Sequence, residues 1–146
     1  MAHTSVIVKK SNTYYCIPAG RGPLGLGYWL GQVKEGGNVA FRNDEEIGQD
    51  ILDALSLFKD DVDEAELDEE TFEKSVIALG FKDARVFKQN ARLVFVEIEA
   101  EQVRILASKR RRGPYPGFEF IGPDFLASHD PAEVGRAFRK ALALSH

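Results

Sequence analysis

Nine carboxylates and no base fall between Asp60 and Glu73: Asp60, Asp61, Asp63, Glu64, Glu66, Asp68, Glu69, Glu70 and Glu73. Paired carboxylates do acid–base work only where their surroundings push their proton affinities apart, and a run this dense reads as exposed. The plainer interpretation is a solvated helix face or solubilising loop. The sharper one is a negative patch that steers a basic partner and raises its on-rate by about 10–10³. Opposite charge gathers at Lys109, Arg110, Arg111 and Arg112, within a stretch from Val103 to Phe118 that holds no acid. With Tyr115 and Phe118 beside it, that tetrad could grip phosphates. It abuts the turn Gly113-Pro114-Tyr115-Pro116-Gly117, however, and the sequence pI is 5.4. An exposed basic loop is the simpler description, and nucleic-acid binding is not favoured.

The other reactive residue types form no constellation. Cys16 is the single cysteine, which excludes an intrachain disulfide and a Cys-based zinc site. It sits in the strand pattern Tyr14-Tyr15-Cys16-Ile17, where a free cysteine is usually a small buried hydrophobe. His3, His129 and His146 are too scattered for a metal cluster, the first and last belonging to chain ends and His129 to a surface turn. The glycine-rich stretch Gly20-Arg21-Gly22-Pro23-Leu24-Gly25-Leu26-Gly27 lacks the Gly-Lys-Ser/Thr ending of a P-loop and the spacing of a dinucleotide fingerprint. It reads as a surface loop that could make contacts. Trp29, beside Tyr28, reads as a core anchor. No serine occupies a nucleophile elbow, so the expectation is a protein with no catalytic residues, cofactor or metal.

These residues must be positioned by a chain of 146 residues and 16.3 kDa, the size of one domain. At 44% hydrophobic and 29% charged, it can bury roughly 70% of the surface it exposes when unfolded. Setting aside the nine acids of the run, the remaining 14 face 19 bases, so a mildly basic body carries one acidic segment. No apolar stretch approaches the roughly 20 residues of a membrane span, and the first residues lack the layout of a secretory signal. The expectation is a soluble cytoplasmic protein with one domain over 1–146.

Thr4–Val8 and Thr13–Ile17 read as strands joined at Ser11-Asn12, and Val39-Ala40-Phe41 as a further short strand. Ile47, Ile51, Ala54, Leu55 and Phe58 recur at helical spacing, behind Asn43 as N-cap and Glu46 as its capping-box partner. A second helix is expected from Glu64 or Asp68 to Leu79, burying Phe72, Val76 and Leu79 and stopping at Gly80. Ala84–Phe87, Leu93–Ile98, Val103–Leu106 and Phe118–Ile121 read as strands, the middle two forming a hairpin around Glu99-Ala100-Glu101-Gln102. A last helix runs from Pro131 to about Leu144, capped by Asp130 with Glu133 completing a capping box.

The segments 43–57 and 130–144 align without gaps, matching Glu46 with Glu133, Gly48 with Gly135, Ala54 with Ala141, Leu55 with Leu142 and Leu57 with Leu144. A glycine inside a helix costs about 1 kcal/mol relative to alanine, so it has a packing reason; here it would let each helix lie close on a sheet. The implied architecture is α/β (α+β), with a mostly antiparallel sheet built from two β-rich halves, 1–59 and 84–146. Each half is closed by a similar helix, and an acidic helical segment, 60–83, joins them.

Four segments together resemble the cytoplasmic immunity proteins of bacterial contact-dependent growth inhibition systems. They are the opening strands with Tyr14-Tyr15-Cys16-Ile17-Pro18; Asn43-Asp44-Glu45-Glu46-Ile47-Gly48 leading into Asp53-Ala54-Leu55; Ala78-Leu79-Gly80-Phe81-Lys82-Asp83-Ala84-Arg85-Val86-Phe87-Lys88; and Asp130-Pro131-Ala132-Glu133-Val134-Gly135 leading into Lys140-Ala141-Leu142. The resemblance implies a non-enzymatic α/β protein that binds and neutralises the C-terminal toxin domain of a delivery protein, commonly a basic nuclease. It carries over no catalytic residues and names no contact surface. Electrostatic complementarity to a positive substrate groove makes Asp60, Asp61, Asp63, Glu64 and Glu66 the candidate partner-binding residues. The alternatives are a small adaptor or secretion chaperone and, less favoured, a nucleic-acid-binding module on Lys109–Arg112.

Overall fold

The computed structural model describes residues 2–22, 27–63, 69–111 and 117–146. The strand β1 (His3–Val8) turns into β2 (Thr13–Arg21), and two short strands, β3 (Gly27–Trp29) and β4 (Lys34–Asn38), follow. Next come α1 (Asp44–Ser56), α2 (Glu69–Ala78) and α3 (Ala84–Asn90), then β5 (Arg92–Glu99), β6 (Gln102–Arg111), β7 (Gly117–Ala127) and α4 (Pro131–Leu144). The seven strands make one antiparallel sheet in the order β3-β2-β1-β5-β6-β7. Beyond β2, β3 pairs with Ala19–Arg21 and β4 with Thr13–Cys16, so the two share one edge end to end.

Both faces of the sheet are covered, which explains why β1 reads as a continuous apolar run. Val6 and Val8 point into a core with Ile47, Ile51 and Leu55 of α1 and Val134, Phe138 and Ala141 of α4. Ile7, between them, points the other way, to a smaller core with Val76 and Leu79 and Phe87 of α3. This is a single α+β domain, as the sequence pattern implied.

The helix ends follow the capping signals closely but not completely. The Asn43 side chain accepts from the Glu46 N–H while Glu46 accepts from the Asn43 N–H, a full capping box. At α4 only half of the expected box forms: Asp130 accepts from the Glu133 N–H, but the Glu133 carboxylate accepts from the backbone N–H and hydroxyl of Ser128. Those bonds to Ser128 hold the Glu133 carboxyl below its ordinary proton affinity. Gly80 ends the α2 segment in the left-handed region, at φ +91°, as a glycine stop does.

Several local expectations change. Ala84–Phe87 is helical, because Asp83 caps it by accepting from the Val86 N–H and one helical turn suffices to bury Phe87. Val39–Phe41 is a turn; the strand lies just before it, in Lys34–Asn38, where the low strand propensity of two glycines yields to packing. A β-carbon at Gly36 would overlap the Tyr14 ring, so only glycine lets this strand close on β2. Of the glycine-rich stretch, Gly20 and Arg21 end β2 and Gly27 opens β3, while 23–26 lie outside the described residues.

The helical glycines also face something other than the sheet. A β-carbon at Gly48 would overlap the backbone of Pro131, and one at Gly135 would overlap that of Asp44. The two helices therefore pack on each other through their first turns. His3 is not at a frayed end: it lies in β1 with ring centroids of Phe58 and Phe95 at 5.0 and 5.4 Å. Lys109–Arg111 are the end of β6 rather than a loop, and 112–116 lie outside the described residues.

Candidate functional site

Between β4 and α1 lies a cleft of about 470 Å³. Its charged lining is Lys34 and Glu35 from β4 and Asp50 and Asp53 from α1, with Ser56 and Leu57 at the helix end and Cys16 on β2. Asp50 and Asp53 stand three residues apart on α1, away from its buried stripe, so one helical face presents both. Asp50 is fixed in place. The buried Tyr14 hydroxyl donates to its Oδ2 at 2.5 Å, and the Arg42 guanidinium donates to the same oxygen at 3.0 Å. Both donors fall on Oδ2. Asp53 accepts one bond, on Oδ1, from Gln49 at 2.8 Å.

In the cleft the charges of Asp50 and Asp53 are offset by the Arg42 guanidinium and Lys34. Burial, reinforced by the hydrogen bond to Asp50, raises the proton affinity of Tyr14 well above the ordinary tyrosine value, so it stays a neutral donor. Burial also raises that of the Cys16 thiol, and the charges of Asp50 and Asp53 add to the effect. The thiol is accordingly inert as a nucleophile. Among the described residues no three His, Cys, Asp or Glu side chains are placed to hold a metal ion.

The acidic run follows directly from this cleft in the chain. After Leu57 the backbone crosses the end of β2, where the Lys59 N–H donates to Ala19 and the Arg21 N–H to Lys59. Val62 is buried there, and its N–H donates to Arg21. Asp60, Asp61 and Asp63 are exposed on this anchored segment, Asp60 lying 3.6 Å from the Arg21 guanidinium. Glu64 and Glu66 lie outside the described residues, so three of the five candidate contact residues have a place in the fold.

Composition and runs drew attention to Asp60–Glu73 and missed Asp50 and Asp53. Their three-residue spacing was visible in the sequence. The opposing wall from β4 was not, because the strand was expected five residues later. The basic tetrad is partly engaged: Lys109 lies 3.7 Å from Glu119, and the Arg110 guanidinium donates to the Ala91 carbonyl. Among the described residues no helix is long and apolar enough to cross a membrane. Trp29 is half-buried rather than enclosed, packed against Phe72 and Phe87.

No protein-family model matches the sequence, and neither does any curated protein. Solved structures do match the fold over its whole length. A protein of unknown function from Neisseria meningitidis superposes with a TM-score of 0.80 at 18% identity, covering 99% of this chain and 95% of that one. A chain of the CdiA-CT/CdiI toxin and immunity complex from Yersinia pseudotuberculosis superposes with a TM-score of 0.66 at 16% identity, covering 99% and 97%. The fold to which the sequence resemblance pointed is thus the fold found, at identities where only the fold is shared.

Proposed function

We propose that this protein binds and neutralises the cognate toxin domain of a contact-dependent growth inhibition system, acting in the cytoplasm and without catalysis. The observation that carries the reading is the end-to-end match to a chain from a toxin and immunity complex. Supporting it is a surface suited to a basic partner, the segment after α1 with exposed Asp60, Asp61 and Asp63. A toxin that is a nuclease would present a positive substrate groove, and a negative inhibitor surface accelerates its capture. The contact residues proposed on this segment are Asp60, Asp61, Asp63, Glu64 and Glu66. An adaptor or secretion chaperone would share the fold but would not protect against a toxin.

The test is co-expression with the C-terminal domain encoded immediately upstream, scoring growth and co-purification together. Rescue with a stable complex supports the reading. A harmless upstream domain, or death despite expression of this protein, overturns it. Replacing Asp60, Asp61 and Asp63 together by lysine should then weaken the complex and flatten its dependence on salt, since long-range charge attraction is what salt screens. Unchanged affinity at low salt removes the acidic segment from the interface.

A further inference from the structure

We infer that the open half of the sheet face turned away from α1 and α4, running from Phe58 and His3 across Phe95 to Phe120 and Leu126, is a docking surface for the basic toxin domain. The inference rests on the toxin-binding reading for the identity of the partner and names the part of the fold that would meet it.

Where an antiparallel sheet has one face on a core and one in water, the outward residues are normally polar. Val94, Val96, Val103 and Ile105 point to the core under α1 and α4. Their alternates Phe95 and Leu106, paired across β5 and β6, point the other way. On β7, Phe120 and Leu126 share that second face: the Phe120 ring lies 5.3 Å from that of Phe95, and Leu126 pairs with Arg104. Yet Phe120 is 53% and Leu126 56% exposed. The helices α2 and α3 occupy the other end of this face, where Phe72 and Phe87 pack on Trp29 and Phe87 meets Phe118. A contiguous apolar patch with a polar rim marks a contact surface, whereas a single exposed residue such as Phe41 needs no such explanation. The patch is also held still. Phe58, His3, Phe95 and Phe120 follow one another with ring centroids 5.0, 5.4 and 5.3 Å apart, so little side-chain freedom is lost when a partner settles on them.

The rim says what kind of partner fits. The Arg104 guanidinium donates to Glu97 at 2.8 Å and to Asp124 at 2.7 Å, and Glu99 acts on the same guanidinium from the same face. Three carboxylates thus surround one guanidinium. At the His3 end the face runs into the segment that carries Asp60, Asp61 and Asp63, through the contact of Phe58 with His3. The cations there are Arg21, Lys59 and the N-terminal charge. With those counted, six carboxylates stand against four cations, so the rim keeps a negative excess. Nucleic acid would be repelled by it. A second copy would bring the same acids against themselves. A partner with an apolar centre and a basic rim matches both the floor and the edge, since complementary charge steers encounter while apolar burial holds the complex.

The experiment measures binding kinetics between the full chain and the C-terminal domain encoded immediately upstream. Replacing Phe120 and Leu126 together by alanine should raise the dissociation rate roughly tenfold or more, with little change in the association rate. Glu99→Lys should instead slow association about threefold at low salt, an effect that added salt removes. Phe41→Ala, an exposed apolar residue on the turn before α1, serves as the control and should behave as wild type. In the isotope-labelled wild-type chain the Leu126 methyl resonances should shift on adding the upstream domain, a readout that needs no variant to fold. Wild-type kinetics in the double variant, an equal loss in Phe41→Ala, or unmoved Leu126 methyls overturn the docking surface and leave the toxin-binding reading intact. A concentration-dependent dimer that Leu126→Arg dissolves would give the face to a second copy and overturn it as well. Failure of wild type to bind the upstream domain or to rescue growth overturns the toxin-binding reading, and this proposal falls with it.

Discussion

Gly48 of α1 rests on the Pro131 carbonyl at the first turn of α4, so close that a β-carbon at Gly48 would overlap that oxygen. The relation is reciprocal, because Gly135 of α4 rests in the same way on Asp44 at the first turn of α1. In the sequence alignment Gly48 corresponds to Gly135 and Asp44 to Pro131, so the contact repeats itself with the helices exchanged. Such a crossing requires both positions to lack side chains. Backbone cannot step aside as a flexible side chain can.

This relation sets the sign of a mutational effect that helix propensity alone would get wrong. Alanine in place of a helical glycine gains about 1 kcal/mol in an unconstrained helix. At Gly48 or Gly135 that gain is opposed by forced separation of α1 and α4, and overpacking of this kind costs about 1–3 kcal/mol or more. Gly48→Ala and Gly135→Ala should each lower the urea midpoint without changing the slope, as a pure stability loss does. Because they act on one crossing, the double variant should deviate from the sum of the singles. A raised midpoint in either single variant would show that the helices do not need this approach.

A second set of contacts ties the helix pair to the turn that precedes α1. The Arg139 guanidinium of α4 donates to Asp44 Oδ1 at 2.6 Å, to the Val39 carbonyl at 2.7 Å and to the Arg42 carbonyl. Its three bonds hold the 39–42 turn, where Phe41 is 88% exposed, and so position Arg42 for Asp50. Arg139→Ala should cost about 1–3 kcal/mol, the range for removing partners of charged or carbonyl acceptors, towards the lower end because the side chain is partly solvent-accessible. Arg139→Lys should recover little of it, since one ammonium cannot reproduce a planar fork of donors. Amide exchange should accelerate selectively over residues 39–44. Full recovery by lysine would mean that charge, not geometry, is what α4 supplies.

How much of this was legible in the sequence depended on whether the signal was local. The periodic stripe of α1, its Asn43–Glu46 box and the Pro131 start of α4 were all readable because caps and helical periodicity act within a few residues. The β5–β6 hairpin was readable for the same reason, with Ala100 at φ +56° in its turn. Errors fell where distant residues decide. Ala84–Phe87 carries strand-like residues, yet Asp83 caps it and the ring cluster around Phe87 holds it as a helix. Lys34–Asn38 has poor strand propensity and becomes a strand because Tyr14, some 20 residues away, needs Gly36 beside it. The cleft combines one legible wall, α1, with this illegible one. The acidic run was conspicuous, but its anchoring by Val62 and Lys59 against the end of β2 is a non-local pairing that composition does not encode.

His3 gives the fold a dependence on pH that its position near the start of the chain did not suggest. Burial lowers its proton affinity, and the nearby Arg21 and the N-terminal charge act in the same direction. Its ring lies between Phe58 and Phe95, and a β-carbon at Gly27 would overlap it. It therefore joins β1 to both β3 and the segment that follows α1. The unfolded chain protonates this histidine near pH 6.5, whereas the folded chain resists until lower pH. Between those two values the unfolded state binds more protons, so stability rises with pH there. The contribution of His3 is fully present above about pH 6.5 and is lost as the pH falls towards the folded-state value. Urea unfolding of the wild type from pH 7.5 to pH 5 should show a declining midpoint. In His3→Phe, whose ring can occupy the same aromatic gap without a charge, that part of the decline should disappear. Identical pH slopes for the two proteins would show that other groups govern the acid side of the stability curve.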